Sequence, residues 1–258
     1  MTMRLSTGAR NFLNKEGGID DMLRNGWIEI YTGAQPSSAD AAATGTLLCT
    51  ISNASGAITK EVLSSGSVTL NTGASGSVDT LTVNSVEIMG AVVPFNSTLT
   101  QTAADVAAQI NRYKSVPEYT ATSSGAVVTI KALPGTGTGP NTFVVATGVT
   151  TITKTDANMA GGVASVNGLK FDTSAAGVLS KLSTQTWSGV NAATGTAGWF
   201  RQYGSVADAS ALDTTPFPAL RIDGSIATSG SEMNLNSTAF TSAATTTLST
   251  WSMTIPAS

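Results

Sequence analysis

The chain of 258 residues lacks histidine, has one cysteine and carries few charges. Without histidine it can form neither a Ser–His–Asp nor a Cys–His arrangement, and it loses most zinc sites and the commonest general base. Cys49, the single cysteine, excludes a disulfide within the chain. Its place in the apolar run GTLLCTIS predicts a small buried hydrophobe. These absences remove the most frequent catalytic and metal-binding chemistries.

Charged residues make up 11% of the chain, against about 25% in a typical soluble domain. A surface of Ser, Thr, Asn and Gly has little electrostatic repulsion to keep copies apart, which favours a subunit that packs against itself. Extracellular β proteins share this composition, so composition leaves both interpretations open. With a net charge of −3 and no basic run, the chain shows no electrostatic footprint of a nucleic-acid binder.

The 16 acidic residues are spread thinly along the chain. A glycosidase with two carboxylates needs no histidine, but the sequence places no two carboxylates in one cleft. Asp20 and Asp21 are predicted to start a helix, whereas Asp208, Asp213 and Asp223 lie among Ser, Ala, Pro and Gly and are predicted in loops and turns. No EF-hand spacing is present. We predict no enzyme activity, no catalytic residue, no metal site and no cofactor.

Long apolar runs are also missing. No stretch approaches the roughly 18–20 apolar residues of a membrane span, and the start, MTMRLSTGARNF, lacks the apolar core of a signal peptide. We therefore expect synthesis in the cytoplasm, without a membrane partner.

One amphipathic helix is predicted at 102–113, TAADVAAQINRY. Val106 and Ile110 are four residues apart and share one face. Thr100 or Thr102 is predicted to cap its N terminus. Strand-like segments lie on both sides, so the helix is expected to cover the core of a small sheet.

The order of strands, one helix and further strands predicts an inserted α+β domain at 58–163. YTATSSGAVVTIKAL is predicted to be a hairpin that turns at Ser124 and Gly125. The apolar strand residues expected to meet the helix are Leu81, Val83, Val127, Val128 and Ile130.

The remaining segments, 27–57 and 164–258, predict one discontinuous β domain, preceded by an N-terminal helical arm at 1–26. Short strands with turn signals every eight to twelve residues are typical of a sandwich or barrel. In GTAGWFRQYG, Arg201 is predicted to face water. Three tryptophans of this domain are predicted to lie in its core: Trp187, Trp199 and Trp251.

Blocks in the outer segments resemble a family of tailed-bacteriophage virion proteins. In order, they are RLSTGARNFL, GGIDDMLRNGWIEIYTGAQPSSAD, TLLCTIS, GVLSKLSTQTWSG, GTAGWFRQYG, RIDGSIATSGSEMNLNSTAF and TTTLSTWSMTIPAS, and they cover most of 3–57 and 164–258. The middle segment, with TAADVAAQIN, YTATSSGAVVTIKAL, a Gly-rich loop and GPN, resembles a module that recurs in phage tail proteins, including tail sheaths. The resemblance implies a non-enzymatic structural role in the virion and supplies no catalytic residues.

The leading hypothesis is a multi-copy virion structural protein, a tail component or tail-proximal fibre that docks on neighbouring subunits; a capsid decoration or cement protein is the alternative. Its partners would be copies of itself and other virion proteins of the tail, the portal-proximal region or the capsid. Either the N-terminal arm docks on a partner, or it caps the protein's own sandwich. The docking residues would be Phe12, Leu13, Met22 and Leu23.

A second hypothesis is a receptor- or glycan-binding module on the virion, with a host surface receptor as partner. Exposed aromatic side chains of the inserted domain would stack on sugar rings. The candidates are Tyr113, Tyr119 and Phe143, and each could instead belong to the domain's core.

Overall fold

A computed structural model describes residues 3–208 and 220–254. It is mainly β, with 44% strand and 12% helix. The predicted fold class, a sandwich-like β domain with a short helical arm and an inserted α+β domain that carries one helix, is confirmed.

The chain divides into two compact units. Unit one combines Met1–Glu61 with Ser165–Ser258, and unit two is Val62–Ala164. The sequence analysis predicted these boundaries after residues 57 and 163. The structure differs by a few residues, because it assigns 58–61 to unit one and residue 164 to unit two.

The elements follow one another in short segments. The described helices are α1 (Thr7–Lys15), α2 (Ile19–Leu23) and α3 (Leu99–Arg112). The described strands are β1 (Arg4–Leu5), β2 (Trp27–Thr32), β3 (Leu47–Asn53), β4 (Ser65–Thr72), β5 (Ser77–Val83), β6 (Val86–Glu87), β7 (Val93–Pro94), β8 (Tyr119–Ser124), β9 (Val127–Ala132), β10 (Val145–Thr150), β11 (Thr153–Ala160), β12 (Val178–Ser180), β13 (Trp187–Val190), β14 (Gly195–Tyr203), β15 (Arg221–Ala227), β16 (Met233–Asn234), β17 (Ala239–Phe240), β18 (Thr245–Leu248) and β19 (Ser252–Thr254).

Unit one is built on a sheet of nine described strands in the order β1-β15-β14-β2-β3-β13-β18, with β16 beside β15 and β17 beside β14. Strand β14 pairs antiparallel with β15 and β2. Trp187 and Trp199 are fully buried, as predicted, but Trp251 keeps part of its surface and packs on Trp187 and Phe171 at ring distances of 5.7 and 5.1 Å.

The N-terminal segment packs into unit one. Strand β1 pairs with β15, and Ser6 caps α1 by accepting a hydrogen bond from the Ala9 amide at 3.1 Å. Asp20 and Asp21 lie in the first turn of α2, as predicted, where a negative charge suits the helix dipole.

Unit two has two described sheets, β11-β4-β9-β8 and β10-β5-β6, with β7 beside β5. Helix α3 buries Val106 and Ile110 in a core that also holds Leu81, Val83, Val128 and Ile130; Val127, predicted for this core, is only half-buried.

Two local predictions in unit two are corrected. The cap of α3 is Thr98, whose hydroxyl accepts from the Gln101 amide at 3.1 Å, because the helix begins at Leu99, earlier than the apolar periodicity indicates. The β8–β9 hairpin turns one residue later than predicted, since Ser124 pairs with Val127 and Gly125 takes the left-handed φ of 56°.

In each unit, the two segments that connect it to the other unit are joined by backbone hydrogen bonds. In unit one, Thr59 and Val166 exchange backbone hydrogen bonds of 3.2 and 3.1 Å. In unit two, Val62 and Val163 do the same at 3.1 and 2.9 Å.

Candidate functional site

Strand β14 places different chemistry on its two faces. Because successive side chains of a strand point to opposite sides, Trp199, Arg201 and Tyr203 share one face, and Phe200 and Gln202 share the other. The first face carries charged and aromatic groups, whereas the second borders a cavity.

Arg201 forms a buried ion pair with Asp223, its direct neighbour on β15. Its Nε and Nη2 donate to the two carboxylate oxygens at 2.6 and 2.7 Å, and its Nη1 donates to the Ala41 carbonyl at 3.0 Å. Burial acts to lower the pKa of Arg201, but the hydrogen bonds and charge of Asp223 outweigh it and raise the pKa. The guanidinium therefore stays charged inside the unit.

Two sequence predictions are wrong at this pair. Arg201 is 1% exposed and does not face water, because a partner on the next strand satisfies its charge. Asp223 lies in β15 rather than in a loop. Asp208 is in a loop, as predicted, and Asp213 lies outside the described residues.

A second arginine fastens a loop to the same sheet. Arg221 pairs with Asp208, its Nη2 donating at 2.5 Å, and its Nη1 donates to the carbonyls of Ala39 and Asp40 at 3.1 and 3.2 Å. The Asp40 carboxylate accepts from the amide and hydroxyl of Thr7 at 2.7 and 2.8 Å. These bonds tie residues 39–41 and the start of α1 to the sheet.

Stacked aromatic rings flank the charges. Trp27 lies 4.8 Å from Tyr203, and Tyr31 lies 4.6 Å from Trp199. Glu29, between Trp27 and Tyr31 on β2, accepts from the Trp27 indole at 3.1 Å and from the Tyr31 hydroxyl. Burial, reinforced by Glu29, raises the pKa of both Tyr31 and Tyr203, so both phenols stay protonated.

We call the ionised residues of this face the charged layer: Glu29, Arg201, Asp208, Arg221 and Asp223. Each has a hydrogen-bonded partner in unit one. A network whose members are already paired holds its strands and loop in place, and it offers no free carboxylate pair for acid–base catalysis.

The other face of β14 borders a cavity of about 230 Å³, here called the β14 cavity. Its wall combines Phe200 and Gln202 with Met3, which precedes β1, and with side chains that follow β15: Glu232, Met233, Asn234, Leu248, Thr250, Trp251, Ser252 and Met253. No local sequence pattern indicates this cavity, because its residues come from three separate parts of the chain.

The predicted docking residues lie mostly inside unit one. Phe12, Met22 and Leu23 are buried by the chain itself, and Leu13 alone keeps partial exposure. Docking by this segment stays a prediction, and the apolar surface that could serve it narrows to Leu13.

The three candidate aromatic residues do not form one site. Tyr119 is buried in β8, and Phe143 is partly buried against the core of unit two. Tyr113 is 37% exposed, but one side of its ring lies against Gly90, where an added Cβ would come within 2.3 Å of it. Tyr113 is thus the most exposed of the three.

Within 3–208 and 220–254, no three His, Cys, Asp or Glu side chains are grouped to hold a metal ion, and no helix is long and apolar enough to cross a membrane. No protein-family model, curated protein or solved structure matches the chain. No role can therefore be transferred from a relative.

Proposed function

We propose that the chain is a non-enzymatic, multi-copy structural subunit of a tailed-phage virion, a tail component or tail-proximal fibre that packs against copies of itself. The sequence blocks that resemble tailed-phage virion proteins support the assignment to a virion. The uncharged edge of the unit-one sheet carries the inference of self-association.

That edge is β18, which ends the nine-stranded sheet as far as the structure describes it. Free strand edges pair readily with other chains, and proteins usually protect them with charged residues. Strand β18 reads TTTL, and no charged residue occurs anywhere in 233–258. Thr245 and Thr247 are exposed, so an incoming strand would meet hydroxyl groups instead of an electrostatic barrier.

Unit two covers its uncharged edges. Strand β8 ends one of its sheets, but the Asn111 amide of α3 exchanges hydrogen bonds of 2.7 and 2.8 Å with the Ala121 backbone. Strand β10 ends the other sheet, and side chains of β11 accept from its Val145 and Thr147 amides at 3.2 and 3.1 Å. The inference of self-association therefore rests on β18.

The charged layer supports the same role in a different way. Its arginines fasten residues 39–41 to the sheet, and Asp40 in that segment accepts a hydrogen bond from Thr7 at the start of α1. A rigid subunit loses less conformational entropy when it joins an assembly.

The first test is the mass of the purified chain by light scattering at two concentrations. We expect a discrete oligomer that Thr247→Lys, on the β18 edge, reduces to the monomer. Thr228→Lys adds the same charge at an exposed position after β15 and should leave the oligomer intact. A monomer at both concentrations, or equal effects of the two lysines, would contradict assembly through β18.

The second test concerns the particle. We expect peptides of the chain in purified tailed virions at many copies per particle, and immunogold labelling on the tail. Labelling on the capsid would replace the tail assignment with the decoration role, and absence from the particle would overturn the virion proposal.

A further inference from the structure

The β14 cavity contains a buried polar side chain that the chain leaves unpaired. Gln202 is 1% exposed, and neither its amide oxygen nor its amide nitrogen has a hydrogen-bond partner among the described residues. Buried amides are nearly always paired, so this one points to a partner that enters the cavity.

The strand register explains why unit one cannot satisfy Gln202 locally. Its direct neighbours across the sheet are Ile28 on β2 and Ile222 on β15. Two positions away on the same face lies Phe200. None of these three side chains can donate or accept a hydrogen bond. The amide is therefore left unpaired in a side chain that lines the cavity.

The rest of the wall defines the chemistry of a ligand. Trp251, which is partly exposed, provides a flat aromatic face, and Met3, Met233 and Met253 provide adaptable apolar surface. Asn234, Thr250 and Ser252 add uncharged polar groups at positions open to solvent.

The charge of the cavity wall further restricts the chemical class of the ligand. Among the described lining residues there is no lysine or arginine, and the one ionised group is Glu232. One Glu232 oxygen already accepts from the amide of Ser225 at 2.9 Å and from its hydroxyl. Burial acts to raise the pKa of Glu232, but these hydrogen bonds outweigh it and lower the pKa, so the carboxylate stays negative and repels anions.

The volume of the cavity limits the size of the ligand. A volume of about 230 Å³ lies between the roughly 150 Å³ that admits a benzene ring and the roughly 300 Å³ at which drug-sized sites begin. It suits one six-membered ring with its substituents.

We infer that the β14 cavity binds a single neutral pyranose sugar, a free monosaccharide or the end residue of a glycan. One ring face stacks on Trp251, and a hydroxyl that both donates and accepts pairs with the Gln202 amide. The inference concerns unit one, not the aromatic residues of unit two, and it does not rest on the virion role.

The test uses the full chain with 13C-labelled methionine methyl groups, titrated with methyl pyranosides of glucose, galactose, mannose, rhamnose and N-acetylglucosamine. At least one sugar should shift the signals of Met3, Met233 and Met253 saturably in the millimolar range. Three methionines outside the cavity wall are internal controls and should not move: Met22, Met89 and Met159. If no sugar moves the cavity signals, the inference is wrong.

Gln202→Leu removes the amide and keeps much of its volume. It should weaken sugar binding about tenfold or more, the cost of a lost buried hydrogen bond, and should not lower the thermal midpoint. Gln35→Leu is the matched control, because Gln35 also has an unpaired amide but does not line the cavity. Equal binding by wild type and Gln202→Leu would overturn the site. A lower thermal midpoint of Gln202→Leu would overturn it too, since it would show that the chain itself pairs the amide.

A blocking variant covers the case in which Gln202→Leu fails to fold. Thr250 lines the cavity and is exposed, so Thr250→Trp should abolish the sugar shifts without disturbing the core. Ser249→Trp places the same bulk at the adjacent exposed residue outside the wall and should preserve binding. If tetramethylammonium moves the cavity signals and sugars do not, the ligand is a cation and the sugar assignment is wrong.

Discussion

The two units specify their β structure by opposite means. Unit two packs an apolar cluster under α3, with no ionised group in that cluster. Unit one places the charged layer at the middle of its largest sheet, with Arg201 directly opposite Asp223. A slip of one residue between β14 and β15 would send these charges to the wrong face and leave each unpaired. In unit one, the strand register is therefore fixed by the free-energy penalty of burying an unpaired charge. In unit two, it is fixed by the favourable free energy of burying apolar side chains.

The tryptophans make this comparison measurable. All four, Trp27, Trp187, Trp199 and Trp251, belong to unit one. Tryptophan fluorescence therefore follows unit one, while circular dichroism follows both units.

The largest expected effect comes from breaking the buried ion pair. Arg201→Met leaves the Asp223 carboxylate buried without its partner and should cost unit one about 3–5 kcal/mol of unfolding free energy. Urea unfolding followed by tryptophan fluorescence measures this loss. Arg112→Met, at an exposed position of unit two, is the matched control and should leave the fluorescence transition in place.

The double variant Arg201→Met/Asp223→Leu sharpens the same point. Replacing both charges with apolar side chains should restore most of the stability, because no unpaired charge remains. A double variant as unstable as Arg201→Met would show that the layer stabilises unit one through the charges themselves and not only through their pairing.

The next effect concerns the apolar core of unit two. Ile110→Ala removes a fully buried side chain of α3 and should cost about 3 kcal/mol. Circular dichroism should show earlier unfolding of unit two, with the fluorescence transition unchanged. Thr100→Ala, exposed on the same helix, should change little. A matching shift in fluorescence would mean that the two units unfold together, and the comparison would fail.

A smaller effect depends on pH. Burial acts to raise the pKa of Asp40, but the hydrogen bonds from Thr7 outweigh it and lower the pKa. A lowered pKa means that the carboxylate stabilises unit one above the unfolded value of about 3.9, and that this stability is lost as the pH falls through the folded value.

Asp40→Asn should therefore cost about 1 kcal/mol near pH 7, as for a lost helix cap, and much less at about pH 2. Thermal unfolding by fluorescence at both pH values measures the difference. Asp105→Asn makes the same change in unit two and should leave the fluorescence transition unaltered. A cost of Asp40→Asn that persists in acid would assign it to packing rather than charge.

The smallest expected signal is an absence of reaction. Cys49 is buried in β3, and burial raises the pKa of its thiol to about 12. A thiol reagent at about pH 8 should not label the folded chain, since the thiolate is the reactive form. Arg201→Met should increase the labelling rate, because it destabilises unit one, and Ile110→Ala in unit two should not. Rapid labelling of the wild type would show that Cys49 is not protected inside unit one.

The sequence predicted those features that depend on local patterns. The apolar spacing of Val106 and Ile110 located α3, and the alternation of WIEIYTG located β2. It missed the face of β14, because Trp199, Arg201 and Tyr203 alternate with Phe200 and Gln202 and neither set is uniformly apolar. When both faces of a strand are covered, alternation cannot tell which side is inside.

The charged layer and the cavity depend on distant positions. Arg201 and Asp223 are 22 residues apart, and only the pairing of β14 with β15 makes them partners. A weak signal was present, since WIEIY and WFRQY both place one charge midway between two aromatic residues. Gln202 gave none, because an unpaired amide is recognised only when its neighbours are known.

The backbone bridges that close each unit have a consequence for the gene. Thr59 and Val166 already hydrogen bond to each other within unit one, so a tight turn could join the chain there and keep this bridge. Unit two has the geometry of a cassette, which recombination can insert, delete or exchange with one junction on each side. Substitutions can accumulate in unit two while unit one keeps the same ion pairs and the same fold.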